Sequence, residues 1–253
     1  MPSLESVRQK ILWVKRHHET LIAEANRYFE TKPCIVVPEE ETETGRISFR
    51  VKITAPVPAA IPLIIGDLLQ NLRSTLDYLV WELVLAANNV PSEKNMFPIC
   101  STADAFNDQL RRHRLDGIAP DAVTEIERLQ PYGIWKSCGP PNPLILLDAL
   151  CNINKHRRLL LTVLSPHSAR TEITSSESGK SIHIADATRG HDTEVAITPR
   201  PGRIGETVEV EGKLAYFITF DDGPAKRIEI GTCLLGLYDC VDKLIIPKFE
   251  KFF

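Results

Sequence analysis

Apolar residues recur at intervals of three, four and seven through Leu4, Val7, Ile11, Val14, Leu21, Ile22 and Ala25, with Ser3 placed to cap a helix there. The spacing predicts an amphipathic helix to about residue 29. The pattern then changes period. CIVVPEE and RISFRVKIT are rich in β-branched residues and flank the acidic, Gly-containing EETETG, which predicts a hairpin whose charged tip discourages edge pairing. After APVPAAIP, where Pro62 pre-sets a first helical turn, the chain reads LIIGDLLQNLRSTLDYLVWELVLAANN as far as Asn89. Ile65, Leu68, Leu69, Leu72, Leu76, Leu79, Val80 and Leu83 form a broad apolar stripe there, the best-defined helix of the sequence.

Two shorter helices are expected over about 103–113 and 121–129, separated by the turn-like LDGIAP. PYGIWKSCGPPNP, with four prolines and two glycines, has to be irregular, and it delivers the chain into a second core helix, PLILLDALCNINKHRR. Beyond it LLLTVL, ARTEITS, KSIHIAD, TEVAITP, ETVEVEG, KLAYFITF and RIEI alternate or are β-branched, so about five to seven antiparallel strands are expected. In TCLLGLYDCVDKLIIPKF the residues Leu234, Leu237, Val241, Leu244 and Ile245 return to a helical period that Pro247 ends. Strands on both sides of the central helices predict one interleaved α+β domain over residues 1–253. Its expected architecture is a bundle of about four longer helices with an antiparallel sheet built by the early hairpin and the later strands.

Composition adds limits. With 253 residues, 43% of them hydrophobic and 25% charged, the chain can bury a sizeable core, and disorder is not the expectation. A net charge of −3 argues against polyanion binding by bulk electrostatics while leaving room for a local basic patch. The first thirty residues lack the apolar stretch of a signal peptide, and Asp67, Asn71, Arg73 and Asp77 interrupt the most hydrophobic region. A soluble, cytoplasmic protein with no membrane partner is therefore expected. Cys34, Cys100, Cys138, Cys151, Cys233 and Cys240 are scattered without metal-ligand spacing and are read as reduced core thiols. His183, Asp186, His191 and Asp192 sit in a strand-and-turn region of ordinary polarity, so neither a metal nor a cofactor is expected. There is no G-x-S-x-G elbow, P-loop or GxGxxG; Gly231 and Gly236 read as packing or bending sites, and Trp13, Trp81 and Trp135 as core or interface residues.

Candidate chemistry lies on the two central helices. Asp67, Asn71, Ser74, Asp77 and Tyr78 fall three or four apart, and Arg73 precedes Asp77 by one turn. In the later helix Asp148, Asn152, Lys155 and His156 share a face. If the two polar edges met, Arg73, Asp77, Asn152 and His156 would form a candidate catalytic set, a histidine acid/base with an orienting carboxylate and a cation. Asn71, Lys155 and Arg157 would then contact substrate. The plainer alternative is an exposed ion pair on the first helix and, on the second, a cationic last turn that complements the helix dipole. The basic runs VKRHH and LRRHR likewise read either as contacts to an RNA backbone or as solvated helix faces.

IGDLLQNLRSTLDYLVWEL, FPI, QPY and NINKHRRLL resemble motifs shared by a widespread set of bacterial proteins of unassigned activity. A second resemblance is to the HEPN superfamily, small helical bundles that include metal-independent ribonucleases of toxin and phage-defence systems. Their motif sets an arginine and a following polar residue ahead of a histidine on one helix. Asn152 and His156 match its second and last places, and Cys151 stands where the family has arginine. The resemblance implies an RNA-binding protein or ribonuclease in which His156 moves the proton of a ribose 2′-hydroxyl and Arg73, Lys155 or Arg157 steadies the phosphate. The competing expectation is a non-catalytic module that binds a small ligand or a partner protein. The C-terminal apolar stripe of residues 231–246 is expected either to form a homodimer or to be satisfied within the chain.

Overall fold

The two longest runs of helical periodicity become the two longest helices, α1 (Glu5–Glu30) and α2 (Ala60–Ala86). The structure, a computed structural model, describes residues 2–41, 46–133, 142–164, 171–175, 181–184, 194–195, 208–209 and 217–253. The Glu5 N–H donates to Ser3 Oγ at 3.3 Å, the start signal expected of that serine. Leu4, Val7, Ile11, Val14 and Leu21 are buried, but Ile22 is 47% exposed. Adjacent helical residues point about 100° apart, so a narrow stripe holds only one of the pair. α2 is the central helix, with one broad side buried from Ile61 to Val84. It ends where Asn88 takes a φ of 58°, a left-handed turn that asparagine tolerates, and the Asn89 N–H bonds back to the Val84 carbonyl at 3.1 Å.

Three shorter helices come next, α3 (Ala103–Arg111), α4 (Pro120–Arg128) and α5 (Pro143–His156). Thr102 caps α3, and Pro120 opens α4 in the one place where a missing N–H costs nothing. Asn142 caps α5, its Oδ1 accepting from Leu144 N at 3.0 Å and Ile145 N at 3.3 Å, just ahead of Pro143. The C-terminal pattern, expected as one helix, is divided. α6 covers Ile230–Asp239, a wider π segment occupies Cys240–Ile245, and Ile246–Phe252 tightens into a 3-10 segment carrying Pro247. Proline cannot donate to the preceding turn. The change of winding keeps Cys240, Val241, Ile245, Ile246 and Phe249 buried together.

RIEI is also not a strand. Glu229 within it is the N-cap of α6, its carboxylate accepting from Gly231 N at 2.6 Å and Thr232 N at 2.5 Å, and this capping outweighs the β-branched composition. At Gly231 an added Cβ would lie 2.9 Å from Glu229 Oε1, a close approach; at Gly236 an added Cβ would meet nothing within 4 Å among the described residues.

The chain divides into two compact units, each drawn from separated stretches. The first comprises Met1–Glu24, Ala59–Leu160 and Phe220–Phe253. In it α2 packs against α5, α6 and the C-terminal 3-10 segment. Cys233, Leu234, Leu237, Val241 and Ile245 are buried inside this unit, and of the expected C-terminal stripe Leu244 stays 47% exposed. The second unit comprises Ala25–Pro58 and Leu161–Thr219. Here β1 (Cys34–Glu41) and β2 (Arg46–Ile53) form the expected hairpin, in register from Cys34↔Ile53 to Glu41↔Arg46. β6 (Glu194–Val195) extends it by pairing antiparallel with β2, so the early hairpin does join a later strand.

β4 (Thr171–Ser175) lies between β5 (Ser181–Ile184) and β7 (Val208–Glu209), antiparallel to both. β3 (Leu161–Leu164) pairs with β8 (Phe217–Phe220). The α+β class is thus as expected. Among the described residues no helix is long and apolar enough to cross a membrane. Trp135, Cys138, Asp186, His191 and Asp192 lie outside the described residues, as does the side chain of His183.

Candidate functional site

Arg73 and Asp77, one turn apart on α2, meet through Nη1 and Oδ1 at 2.7 Å. Neither side chain stops there. Arg73 Nη2 donates to the Phe97 carbonyl at 2.8 Å, and the Phe97 N–H donates to the same Asp77 Oδ1 at 2.9 Å. The ion pair therefore grips both backbone polar groups of one residue. Gln130 holds the same segment three residues further on: it is fully buried, and its Oε1 accepts from Cys100 N at 2.9 Å. Its amide donates to the Ile126 carbonyl at 3.0 Å. The Arg73/Asp77 pair, the FPI run and the glutamine of QPY thus converge on residues 97–100. Local spacing carries the i,i+4 pair, but nothing in the sequence pattern shows that its remaining bonds go to Phe97.

The second helix meets the first around a thiol. Cys151 is 3% exposed, and its Sγ donates to the Leu69 carbonyl at 3.4 Å, tying α5 to α2. Burial pushes the Cys151 thiol up to about 11, with Arg73 and Lys155 pulling it down and Asp148 and Asp77 pushing it up. Polar edges of both helices therefore lie within electrostatic reach of Cys151. That thiol is protonated and inert at neutral pH. Asn154, nearly one turn further, lies over Gly66 of α2, where an added Cβ would come within 2.6 Å of its amide.

The remaining candidates point elsewhere. Asn152 is exposed and donates to Asp148 Oδ2 at 3.1 Å. His156 is exposed in the last turn of α5, and among the described residues it has no hydrogen bond or ion pair. Arg157 is paired with Asp222 at 2.5 Å. Asn71 faces α1: its Oδ1 accepts from Lys10 Nζ at 3.0 Å while its amide donates to the Asp67 carbonyl at 2.8 Å. Lys155 is exposed. The structure brings Arg73 together with Asp77, and Asn152 with Asp148, but it makes no bond between these pairs or from either to His156.

Trp13 and Trp81 are 48% and 45% exposed, so neither is a core residue, and Tyr78 is 44% exposed. The Arg16 guanidinium lies 5.6 Å from the Trp13 ring centre, and His17 stacks edge-on at 5.5 Å. Lys10 Nζ lies 5.1 Å from the Tyr78 ring centre. Within VKRHH, Arg16 and His17 therefore lie against the Trp13 ring of their own helix, and Lys10, one turn before this run, lies over Tyr78 of α2. Helical spacing of Trp13, Arg16 and His17 is the signal that could have marked this. LRRHR is engaged locally: Arg111 pairs with Asp108, His113 Nδ1 with Asp116 at 2.7 Å, and Arg114 donates to the Lys94 carbonyl at 3.2 Å. A depression of about 470 Å³ beside it is lined by Ser92, Glu93, Lys94, His113 and Asp116.

Comparison of the chain with protein-family models, with curated proteins and with solved structures finds no match.

Proposed function

We propose that this protein is a non-catalytic binding module, and that the α2–α5 polar seam is part of its architecture. The observation that carries this reading is the commitment of Arg73 and Asp77 to each other and to both backbone groups of Phe97. A general acid/base needs a partner within hydrogen-bond reach, oriented by a third group. Asp77 has no bond to a histidine, and Arg73 has two bonds that a phosphate would have to replace. The place that the HEPN motif gives to arginine holds a buried, protonated thiol in Cys151. His156, with Lys155 behind it, complements the carbonyl end of α5.

Incubation of the purified chain with RNA in EDTA tests the reading. The expected outcome is no cleavage by either the wild type or His156→Ala. Cleavage by the wild type that is lost in His156→Ala overturns the proposal in favour of a metal-independent ribonuclease. Binding is expected to use the exposed surface of the first unit, since Arg73 and Cys151 in the seam already have partners.

A further inference from the structure

We propose that the outer face shared by α1 and α2 binds single-stranded nucleic acid, with bases stacking on Trp13, Tyr78 and Trp81 and phosphates meeting Lys10 and Arg16. This assignment rests on the binding-module reading and names its ligand. Two cross-helix contacts set the alignment. Ser6 Oγ donates to Glu82 Oε1 at 2.7 Å, and Lys10 Nζ, one turn further along α1, reaches back along α2 to Asn71 and over Tyr78. The helices are therefore antiparallel; Trp13 lies exposed three residues beyond Lys10 on α1, and Tyr78 and Trp81 lie exposed three residues apart on α2.

Each ring is close to half exposed. Large aromatic surface left in water at several adjacent positions marks a binding face. What sits beside the rings selects the ligand. Residues 10–18, KILWVKRHH, hold three cations and two histidines without a carboxylate. A cation next to an aromatic ring meets a nucleotide twice, the phosphate on the charge and the base on the ring. A protein interface also favours Trp, Tyr and Arg, but its centre is depleted of charge, whereas here Trp13 and Tyr78 each have a cation beside them. Stacking accepts any base, so recognition is of single strands with little sequence preference. Asp67 is exposed on the same helix and Glu82 accepts from Ser3 and Ser6, so the positive field is local and binding relies on the rings.

The test uses the full chain with a fluorescein-labelled oligo(U) dodecamer in EDTA. Anisotropy is read at about 50 and about 200 mM salt, which correspond to screening lengths of about 14 and about 7 Å. Binding is expected, with a slope of log affinity against log salt of about −1.4 for two neutralised phosphates. Trp13→Ala and Trp81→Ala should each weaken it about 10-fold with unchanged urea midpoints, and Lys10→Gln with Arg16→Gln should flatten the salt slope. Absence of binding at about 50 mM salt, or full affinity in the doubly substituted Trp13→Ala/Trp81→Ala chain, overturns the inference. A dimer that dissociates on Trp81→Ala without any affinity for oligo(U) assigns the face to a second copy and also overturns it. Cleavage of the oligonucleotide defeats the non-catalytic reading separately, whichever residues bind it.

Discussion

A single oxygen, Asp77 Oδ1, accepts from both the Arg73 guanidinium and the Phe97 N–H. Removing it strands two donors, one of them a cation whose side chain is only 13% exposed. Asp77→Ala is expected to cost about 2–3 kcal/mol, read as a lower urea midpoint at unchanged slope. Arg73→Lys should also destabilise, because one ammonium cannot reproduce the fork that spans Asp77 and the Phe97 carbonyl. The pair is visible in the sequence as an i,i+4 spacing, but its purpose is not, since its third partner is twenty residues away and is a backbone group.

A pH dependence belongs to the same scale. The folded Cys151 thiol keeps its proton to about 11 against an ordinary value of 9.0. The stability this contributes is intact below about pH 9 and is lost as pH rises toward 11, because the unfolded chain releases its proton first. Cys151→Ser, which keeps a donor for the Leu69 carbonyl and does not titrate, should show a shallower alkaline fall in urea midpoint.

Between elements, α2 and α5 approach closely at Gly66 and Asn154. Gly66→Ala gains helix propensity of about 1 kcal/mol but drives a methyl group into the Asn154 amide. The expected signature is coupling: Gly66→Ala destabilises alone and becomes neutral or stabilising in an Asn154→Ala background, with an interaction energy of about 1–2 kcal/mol in urea unfolding. Helix positions are readable because α1, α2 and α5 announce themselves through periodicity and, for the first two, through Ser3 and Pro62. RIEI misleads because a β-branched composition says nothing about where Glu229 sends its carboxylate. The C-terminal pattern reads as one long helix because apolar spacing survives a change from α to π winding, which shifts the hydrogen bonds and leaves the buried face intact.

At the level of the molecule, the α+β class and the union of the early hairpin with a later strand are legible in the order of the patterns. The division into two units is not, because each unit is stitched from segments far apart in the chain and single-sequence periodicity carries no information on pairing. The same blindness hides the outer α1–α2 face. Trp13 and Trp81 read by type as core or interface residues alike, and only their placement, 48% and 45% exposed, excludes the core.

The first unit closes around residues far apart in the chain: Leu4 and Phe249 are both buried in it, and Arg8 pairs with Glu250 at 3.2 Å. A ribosome adding roughly 5–20 residues per second needs about 12–50 s to travel between those two positions. For much of that interval α1 and α2 are outside the exit tunnel with their leucine and valine stripes uncovered. Birth of this protein is therefore a waiting problem, in which the earliest helix made must be shielded from its neighbours on the same messenger until the last one arrives.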